Sequence, residues 1–383
     1  MRTGTSLYLD LVRFAAALTV FVSHYGTRHF TGGMLYQLQP YGSEAVDVFF
    51  VLSGFVIGHV TSSREADPRS YIVNRMARIY SVAVPALLLT LVLDTAGNAL
   101  HPDMYPADTP PHYLADHQVR HYVMSALFVN RLWYMDIRPG TDWPYWSLGY
   151  EVWYYVIFGV ALFAPRRTRM WATAAAAAIA GPGILALFPL WLLGVACHRL
   201  TRTIRPSVPL GAFCVAVSVA GWVGYEALAA SHWRLYGLAP DALGRPELAQ
   251  DYLVAGLFAL HLIGICHLSD GVARLLRPAA APIRWLAGAT FSIYLMHYPV
   301  LQFIAAVMPW PLTSASARVL LVVLTLIAVF LMAEISERRK ESWRRGIRTM
   351  SDRLFPPVPG FAGLNTGTGG NAAAKKARAI APD

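Results

Sequence analysis

The stretch LYLDLVRFAAALTVFVSHYG, residues 7–26, is apolar over most of its length but carries Asp10, Arg13 and His24. A run of about 20 apolar residues is long enough to cross the hydrocarbon core of a bilayer as a helix. Charged side chains near the bilayer centre cost several kcal/mol each unless they face the interior of the protein. The stretch is therefore predicted to be a membrane-spanning helix with an inward polar strip.

The whole chain has the composition of a membrane protein. Of its 383 residues, 56% are hydrophobic and only 14% are charged, and the mean hydropathy is +0.42. Apolar runs predict an all-α fold, a polytopic bundle of about ten transmembrane helices, and Pro182 and Pro189 leave nine or eleven spans open. The predicted spans lie near residues 6–26, 45–62, 79–97, 145–164, 170–183, 185–198, 208–229, 251–268, 284–306 and 315–334.

The arginines predict how the bundle is oriented. Cytoplasmic loops of membrane proteins carry an excess of Lys and Arg. If the N-terminus is cytoplasmic, the arginines of the inner segments are Arg64, Arg69, Arg75, Arg78, Arg166, Arg167, Arg169, Arg199, Arg202, Arg205, Arg274, Arg277 and Arg284. Those of the outer loops are Arg28, Arg120, Arg131, Arg138, Arg234 and Arg245. Both termini are therefore predicted to be cytoplasmic, and the net charge of +10 needs no nucleic-acid partner.

Two units are expected along the chain, a transmembrane domain over residues 1–340 and a basic cytoplasmic tail over 341–383 whose end is disordered. The first helix is expected to be retained, because Asp10 and Arg13 interrupt the apolar run of a cleavable signal. Three cysteines lie in or at the ends of apolar spans, where cysteine behaves as a small hydrophobe; they are Cys197, Cys214 and Cys266.

Metal-dependent chemistry is not expected. The histidines of the largest outer segment are His112, His117 and His121. His117 and His121 have i,i+4 spacing, but no carboxylate or cysteine completes a ligand set. The sequence therefore predicts no metal site.

The first helix carries its polar residues on one face. Arg13 and His24 are eleven residues apart, which brings them within about 20° of each other and about 16 Å apart along the axis. Asp10 lies three residues before Arg13 and joins the same strip. The strip is either a functional site or a structural one in which Asp10 and Arg13 pair to hold helices together.

Two further segments add candidate binding residues. The second helix places Phe49 and Phe50 before Ser53, at a Ser-Gly step where backbones or a ligand can approach closely. Arg75 and Arg78 then follow with i,i+3 spacing at the cytoplasmic boundary. Such a pair either clamps phosphates or anchors the helix end as the positive-inside rule predicts.

Polar residues also interrupt the fourth and ninth predicted spans. Glu151 falls about two turns into the fourth span among Trp and Tyr residues, and burying its carboxylate requires a partner, for which Arg13 is the candidate. Tyr294 and His297 form a second polar cluster at membrane depth, before Pro299. Each has a structural explanation, but their recurrence in one chain favours a functional site.

Five segments in order resemble one known family. They are LDLVRFAAALTVFVSH, VDVFFVLSGFVI, NRMARIY, WSLGYEVWYY and FSIYLMHYPVL. Together they resemble the integral-membrane acyltransferase family 3, bacterial enzymes that O-acylate carbohydrates and other envelope or secreted molecules. The resemblance runs over about residues 6–340.

The resemblance implies roles for particular residues. It implies that Arg13 and His24 are required for transfer and that Arg75 and Arg78 serve acyl-CoA on the cytoplasmic side. The remaining matches to the family motifs are Phe49, Phe50, Ser53, Gly54, Trp146, Ser147, Leu148, Glu151, Tyr294 and His297. Of these, Phe49, Phe50, Ser53, Tyr294 and His297 are expected to contact the donor.

The chemistry of these residue types fits acyl transfer. A neutral imidazole can take the proton of a hydroxyl group at neutral pH, so His24 is the candidate base. Asp10 and Glu151 would orient Arg13 or tune the imidazole, and Ser53 or Tyr294 could donate a hydrogen bond to the oxyanion. A covalent acyl-histidine intermediate is the alternative route.

The predicted function is a membrane O-acyltransferase of the bacterial cytoplasmic (inner) membrane. Acyl-CoA is the expected donor, with acetyl as the default acyl group and succinyl as the alternative, and no metal is expected. The expected acceptor is a hydroxyl group of an extracytoplasmic or envelope carbohydrate, as in O-acetylation of a polysaccharide. A transporter or flippase for a saccharide or lipid-linked intermediate is the alternative function, and the oligomeric state stays open.

Overall fold

The computed structural model of the protein describes residues 1–63, 65, 67–105, 118–230 and 245–354, and within these ranges all regular structure is helical. The α-helices are α1 Thr3–Tyr25, α2 Arg28–Thr31, α3 Tyr41–Ser63, α4 Pro68–Leu100, α5 Gln118–Ala126, α6 Trp146–Phe163, α7 Arg169–Ala180, α8 Pro182–Thr203, α9 Val208–Ala230, α10 Leu248–His267, α11 Ser269–Leu276, α12 Ala280–Ala287, α13 Thr290–Val307, α14 Ala315–Ile335 and α15 Lys340–Leu354. The predicted all-α fold is confirmed.

Eight helices of the described ranges are long and apolar enough to cross a membrane, namely α1, α3, α4, α8, α9, α10, α13 and α14. The fourth and fifth predicted spans correspond to α6 and α7, which are not among the eight. Helix α7 has only 12 residues, about 18 Å at 1.5 Å per residue, which is less than the hydrocarbon core of a bilayer. The protein is a multi-pass membrane protein.

The structure resolves the uncertain break between the fifth and sixth predicted spans. The chain breaks at Gly181, whose φ of +85° lies in the region that favours glycine. Pro182 then occupies the first turn of α8, and Pro189 lies inside that helix without ending it. One break therefore separates α7 from α8.

The first part of the predicted tail is a helix that binds the bundle. Helix α15 packs against α4, and Arg69 forms an ion pair with Asp352 at 2.5 Å. Helix α4 begins with Pro68, and the Asp67 carboxylate accepts a hydrogen bond from the Ser70 amide at 2.8 Å. Residues 355–383, Arg64 and Arg234 lie outside the described residues.

Close packing of α3 against α8 fixes the centre of the bundle. A Cβ atom on Gly54 would lie 1.8 Å from the Trp191 carbonyl oxygen, and one on Gly194 would lie 2.0 Å from the Val51 carbonyl oxygen. Both positions therefore require glycine, as is common where membrane helices approach closely. Helix α1 packs against α3 on one side and α13 on the other, so α1, α3 and α13 carry most of the candidate site.

Candidate active site

Five helices, α1, α3, α4, α6 and α13, enclose a small cavity of about 40 Å³. This volume has room for a few water molecules. Seven of the predicted site residues line it, although they come from distant parts of the sequence. They are Arg13, Phe49, Phe50, Ser53, Arg78, Glu151 and Tyr294.

Two arginines share one wall of the cavity. The guanidinium carbons of Arg13 and Arg78 lie 6.0 Å and 4.8 Å from the centre of the Phe291 ring. In the part of the chain that the structure describes, neither guanidinium forms an ion pair, and Arg78 Nε is buried without a hydrogen-bond partner. A pair of neighbouring guanidiniums in a low-dielectric setting favours a bound anion, because like charges disfavour each other there.

Glu151 lines the same cavity and is held by hydroxyl groups. Ser53 Oγ donates a hydrogen bond to Glu151 Oε1 at 2.5 Å, and the Tyr155 hydroxyl donates to the same oxygen. Trp191 Nε1 in turn donates to Ser53 Oγ at 3.1 Å. Glu151 and Arg13 line the same cavity but do not form the predicted ion pair. The single proton of Ser53 is thus already used, which leaves it no hydrogen bond to give an oxyanion.

Tyr294 is the better placed donor in the cavity. Its hydroxyl lies 2.6 Å from Ser147 Oγ, and its ring packs edge-on against Phe49 at 5.5 Å between centres. Ser147 Oγ also donates to the Pro144 carbonyl at 3.4 Å. When Ser147 turns its proton to Tyr294 instead, the phenolic O–H is free to donate into the cavity. Ser147 also lines the cavity. Its position in the WSL motif identified Ser147 in the sequence, but no role was predicted for it.

A pair of histidines lies one helical turn further along α13. His24 Nδ1 is 2.9 Å from His297 Nε2, and His297 Nδ1 is 2.7 Å from the Ile293 carbonyl oxygen. A carbonyl only accepts, so His297 Nδ1 carries a proton, and in the neutral ring His297 Nε2 accepts from His24 Nδ1. His24 Nε2 then has a free lone pair, which is the form a general base needs.

The surroundings of the two histidines differ. His297 is fully buried, whereas His24 is partly exposed. The Tyr298 ring packs edge-on against His24 at 5.3 Å. Sequence reasoning placed His297 with the donor-binding residues, but in the structure its ring contacts His24 and orients it. Tyr298, which no prediction singled out, borders the same histidine.

Two predicted residues lie outside both the cavity and the histidine pair. Arg75 forms an ion pair with Glu65 at 2.9 Å, so the two arginines of the RxxR pair point to different surroundings, Arg78 to the cavity and Arg75 to an acidic partner. Asp10 is partly buried, and within the described residues it forms no ion pair with Arg13.

The described residues contain no group of three or more His, Cys, Asp or Glu side chains that could hold a metal ion. Two of the three outer-loop histidines considered as ligands, His112 and His117, lie outside the described residues.

Comparison with known proteins gives one family. A family model described as "Acyltransferase domain" matches residues 6–334. The chain is 30% identical over 135 residues to the exopolysaccharide production protein ExoZ of Rhizobium meliloti (strain 1021), covering 34% of this chain and 37% of that protein. It is 29% identical over 192 residues to the acyltransferase MdmB of Streptomyces mycarofaciens, covering 46% of each. The matches thus span less than half of either relative, and no solved structure matches the chain.

Proposed function

Because the chain belongs to this family of membrane acyltransferases, with the family model covering nearly its whole length, we propose that it transfers an acyl group from acyl-CoA to a hydroxyl group of an extracytoplasmic or envelope carbohydrate. The observation that carries the proposal is the hydrogen-bond chain that leaves the His24 Nε2 lone pair free. The similarity to a protein of exopolysaccharide production supports a carbohydrate acceptor. Acetyl is the acyl group of the proposal, and succinyl is the alternative.

The two cavity arginines support an anionic donor. In this proposal Arg78, at the predicted cytoplasmic side, binds a phosphate of coenzyme A, and the pantetheine arm extends past Arg13. Guanidinium groups suit phosphates because they stay charged and donate two parallel hydrogen bonds. The cavity of about 40 Å³ is smaller than such an arm, so donor binding must widen it.

The transfer itself follows from the order of the groups along α13. Tyr294 and His297 are three residues apart, about 4.5 Å along the helix axis, so a thioester carbonyl near Tyr294 lies close to the histidine pair. His24 Nε2 takes the proton of the acceptor hydroxyl as its oxygen attacks the carbonyl carbon. The Tyr294 hydroxyl and the Arg13 guanidinium stabilise the oxyanion. The carbon–sulfur bond then breaks, and the thiolate takes up the proton.

Thioester consumption tests the proposal directly. Purified protein in lipid nanodiscs is incubated with acetyl-CoA, and the free thiol of coenzyme A is measured with and without an exopolysaccharide fragment. We expect the fragment to increase thiol release and to gain the mass of an acetyl group. Intact acetyl-CoA, together with saccharide transport across vesicles that contain the protein, would support the transporter alternative instead.

A further inference from the structure

A second, much larger concavity lies on the other face of α1. It has a volume of about 940 Å³ and is walled by α1, α3, α9 and α10. Along α1 it extends from Tyr8 to Val22, which is about 21 Å at 1.5 Å per residue. The side chains of Val219 and Trp222 border it and are 47% and 45% exposed. We call this concavity the α1–α10 groove, and it opens to the surroundings of the bundle.

The walls of the α1–α10 groove are apolar over most of their length. The aliphatic and aromatic residues that line them are Val12, Ala15, Ala16, Leu18, Val22, Leu38, Ala45, Val48, Val219, Trp222, Val254, Leu257 and Phe258. An apolar concave surface of this length in a membrane protein is suited to hydrocarbon.

The end of the groove at Tyr8 is polar but uncharged, and its polar side chains hydrogen-bond to one another and to the backbone. Tyr8 Oη lies 2.5 Å from His261 Nε2, and His261 Nδ1 lies 3.1 Å from Ser218 Oγ. Since Ser218 donates its proton to the Val215 carbonyl at 2.8 Å, the consistent assignment is Tyr8 to His261 to Ser218, with every proton used. This end offers nothing to a charged head group, so the tail of a chain ends here.

The opposite end carries one carboxylate. Glu44 lines the groove beside Tyr41, and the Gln250 amide donates to Glu44 Oε1 at 3.3 Å. The Tyr41 hydroxyl donates to Glu226 Oε2 at 2.8 Å, and Glu226 lies behind the lining. Carboxylate oxygens accept hydrogen bonds from hydroxyl groups and disfavour phosphate.

Basic residues are missing from the described lining of the groove, which contains neither Lys nor Arg. Arg245 lies near the Glu44 end but is held by Asp251 in an ion pair at 2.5 Å. We propose that the α1–α10 groove binds an amphiphile with a hydrocarbon tail and a head group that carries hydroxyls and no phosphate. The tail lies along the apolar walls, and the hydroxyls meet the Glu44 carboxylate at the Tyr41 end.

The Tyr41 end of the groove lies close to the histidine pair. Ser23, next to His24, donates to the Gln39 carbonyl at 2.7 Å, so the Tyr41 end of the groove and the histidine pair lie at the same end of α1. A head group at that end has only the width of one helix, about 10 Å, to cross before it reaches His24. The assignment of this amphiphile as the acyl acceptor rests on the proposed function, whereas its binding does not.

Photolabelling tests binding separately from transfer. The full chain in nanodiscs is irradiated with hexadecyl glucoside that carries a diazirine at the end of its chain, and labelled residues are located by mass spectrometry. The same measurement uses hexadecyl phosphate with the same diazirine. The variant Val219→Trp narrows the groove, and Val217→Trp is its matched control, because Val217 is also exposed on α9 but does not line the groove.

We expect the glucoside to label the walls near Tyr8 and His261, and Val219→Trp to reduce this labelling by about tenfold, a difference of about 1.4 kcal/mol, while Val217→Trp leaves it unchanged. The phosphate should label these residues about tenfold less than the glucoside. Equal labelling by both probes, or in Val219→Trp and the unsubstituted protein, would show ordinary surrounding lipid and overturn the proposal. If the groove is labelled as expected but acetyl-CoA stays intact, the binding proposal is supported and the proposed function fails. If acetyl transfer occurs but the groove is not labelled, only the proposal that the groove binds the amphiphile is overturned.

Discussion

The arginine cavity and the histidine pair lie on the same two helices, α1 and α13, yet they are built in opposite ways. In the cavity, Arg13 and Arg78 lie near the same ring, Phe291, and among the described residues neither has an ion-pair partner. In the histidine pair, the two rings form a neutral hydrogen-bond chain that ends on the Ile293 carbonyl. One region brings two positive charges together, and the other is neutral and leaves one lone pair free.

This difference separates two chemical tasks. Two neighbouring guanidiniums favour a bound anion, because its charge offsets their mutual repulsion. A neutral imidazole oriented through its other nitrogen accepts a proton at Nε2, because its tautomer is fixed. Substitutions in the cavity should therefore change donor binding, and substitutions in the histidine pair should change the rate of transfer.

Removal of the base should have the largest effect. We expect His24→Ala to lower the rate of acyl transfer by about 10³-fold, since positioned proton transfer contributes about 10² to 10⁴. Binding of acetyl-CoA, measured by calorimetry, should stay unchanged because the cavity is intact. The exposed His101 provides a control, and His101→Ala should transfer normally. Full transfer by His24→Ala would remove the distinction between the two regions.

Substitution of the partner histidine, His297, should have a smaller effect on the turnover rate, and one variant should recover part of that rate. We expect His297→Ala to lower the turnover rate by about 100-fold, less than the roughly 10⁴-fold loss when a charged orienting group is removed from a catalytic histidine. The KM for acetyl-CoA should not change. His297→Gln should recover part of the rate, because its amide oxygen can accept from His24 Nδ1. If Gln and Ala behave alike, His297 acts through packing and not through orientation.

The sequence predicted much of this arrangement because its signals are local. Apolar runs mark the helices, and the spacing of Arg13 and His24 places both on one face of α1. The contact between His24 and His297 joins residues 273 positions apart, and no local pattern predicts it. Nor does a pattern within the helix show that Arg75 turns away from Arg78, since its partner Glu65 lies in the connection between α3 and α4. Tertiary contacts decide which predicted residues meet.

Substitution of each arginine of the RxxR pair tests which of the two contributes to donor binding. We expect Arg78→Gln to raise the KM for acetyl-CoA by about tenfold, since a hydrogen bond to a charged group is worth about 1.5–3 kcal/mol. Arg75→Gln should change this KM by less, because Arg75 already pairs with Glu65. Steady-state kinetics of both variants provide the measurement, and each is the matched control for the other. Equal increases would restore the predicted two-arginine clamp.

The smallest effect concerns the acid stability of the end of the bundle that carries the histidine pair. His29 Nε2 donates to Gln302 Oε1 at 2.9 Å, which ties α2 to α13. Burial lowers the pKa of His29 below its usual value of about 6.5, against the opposing effect of the bond to Gln302. Neutral His29 therefore contributes stability that is complete above about pH 6.5 and is lost as the pH falls through its lowered pKa.

His29→Gln keeps a donor for Gln302 but cannot titrate, so it should lose less stability than the unsubstituted protein between about pH 6.5 and pH 5. The expected difference is a few degrees in the thermal midpoint at pH 5, and none at pH 8. Amide hydrogen exchange locates the change, because acid should expose α2 and the end of α13 near Gln302 before the cavity at Arg13. Equal acid sensitivity of both proteins, or exchange that begins at the cavity, would show that the two regions do not respond separately to acid.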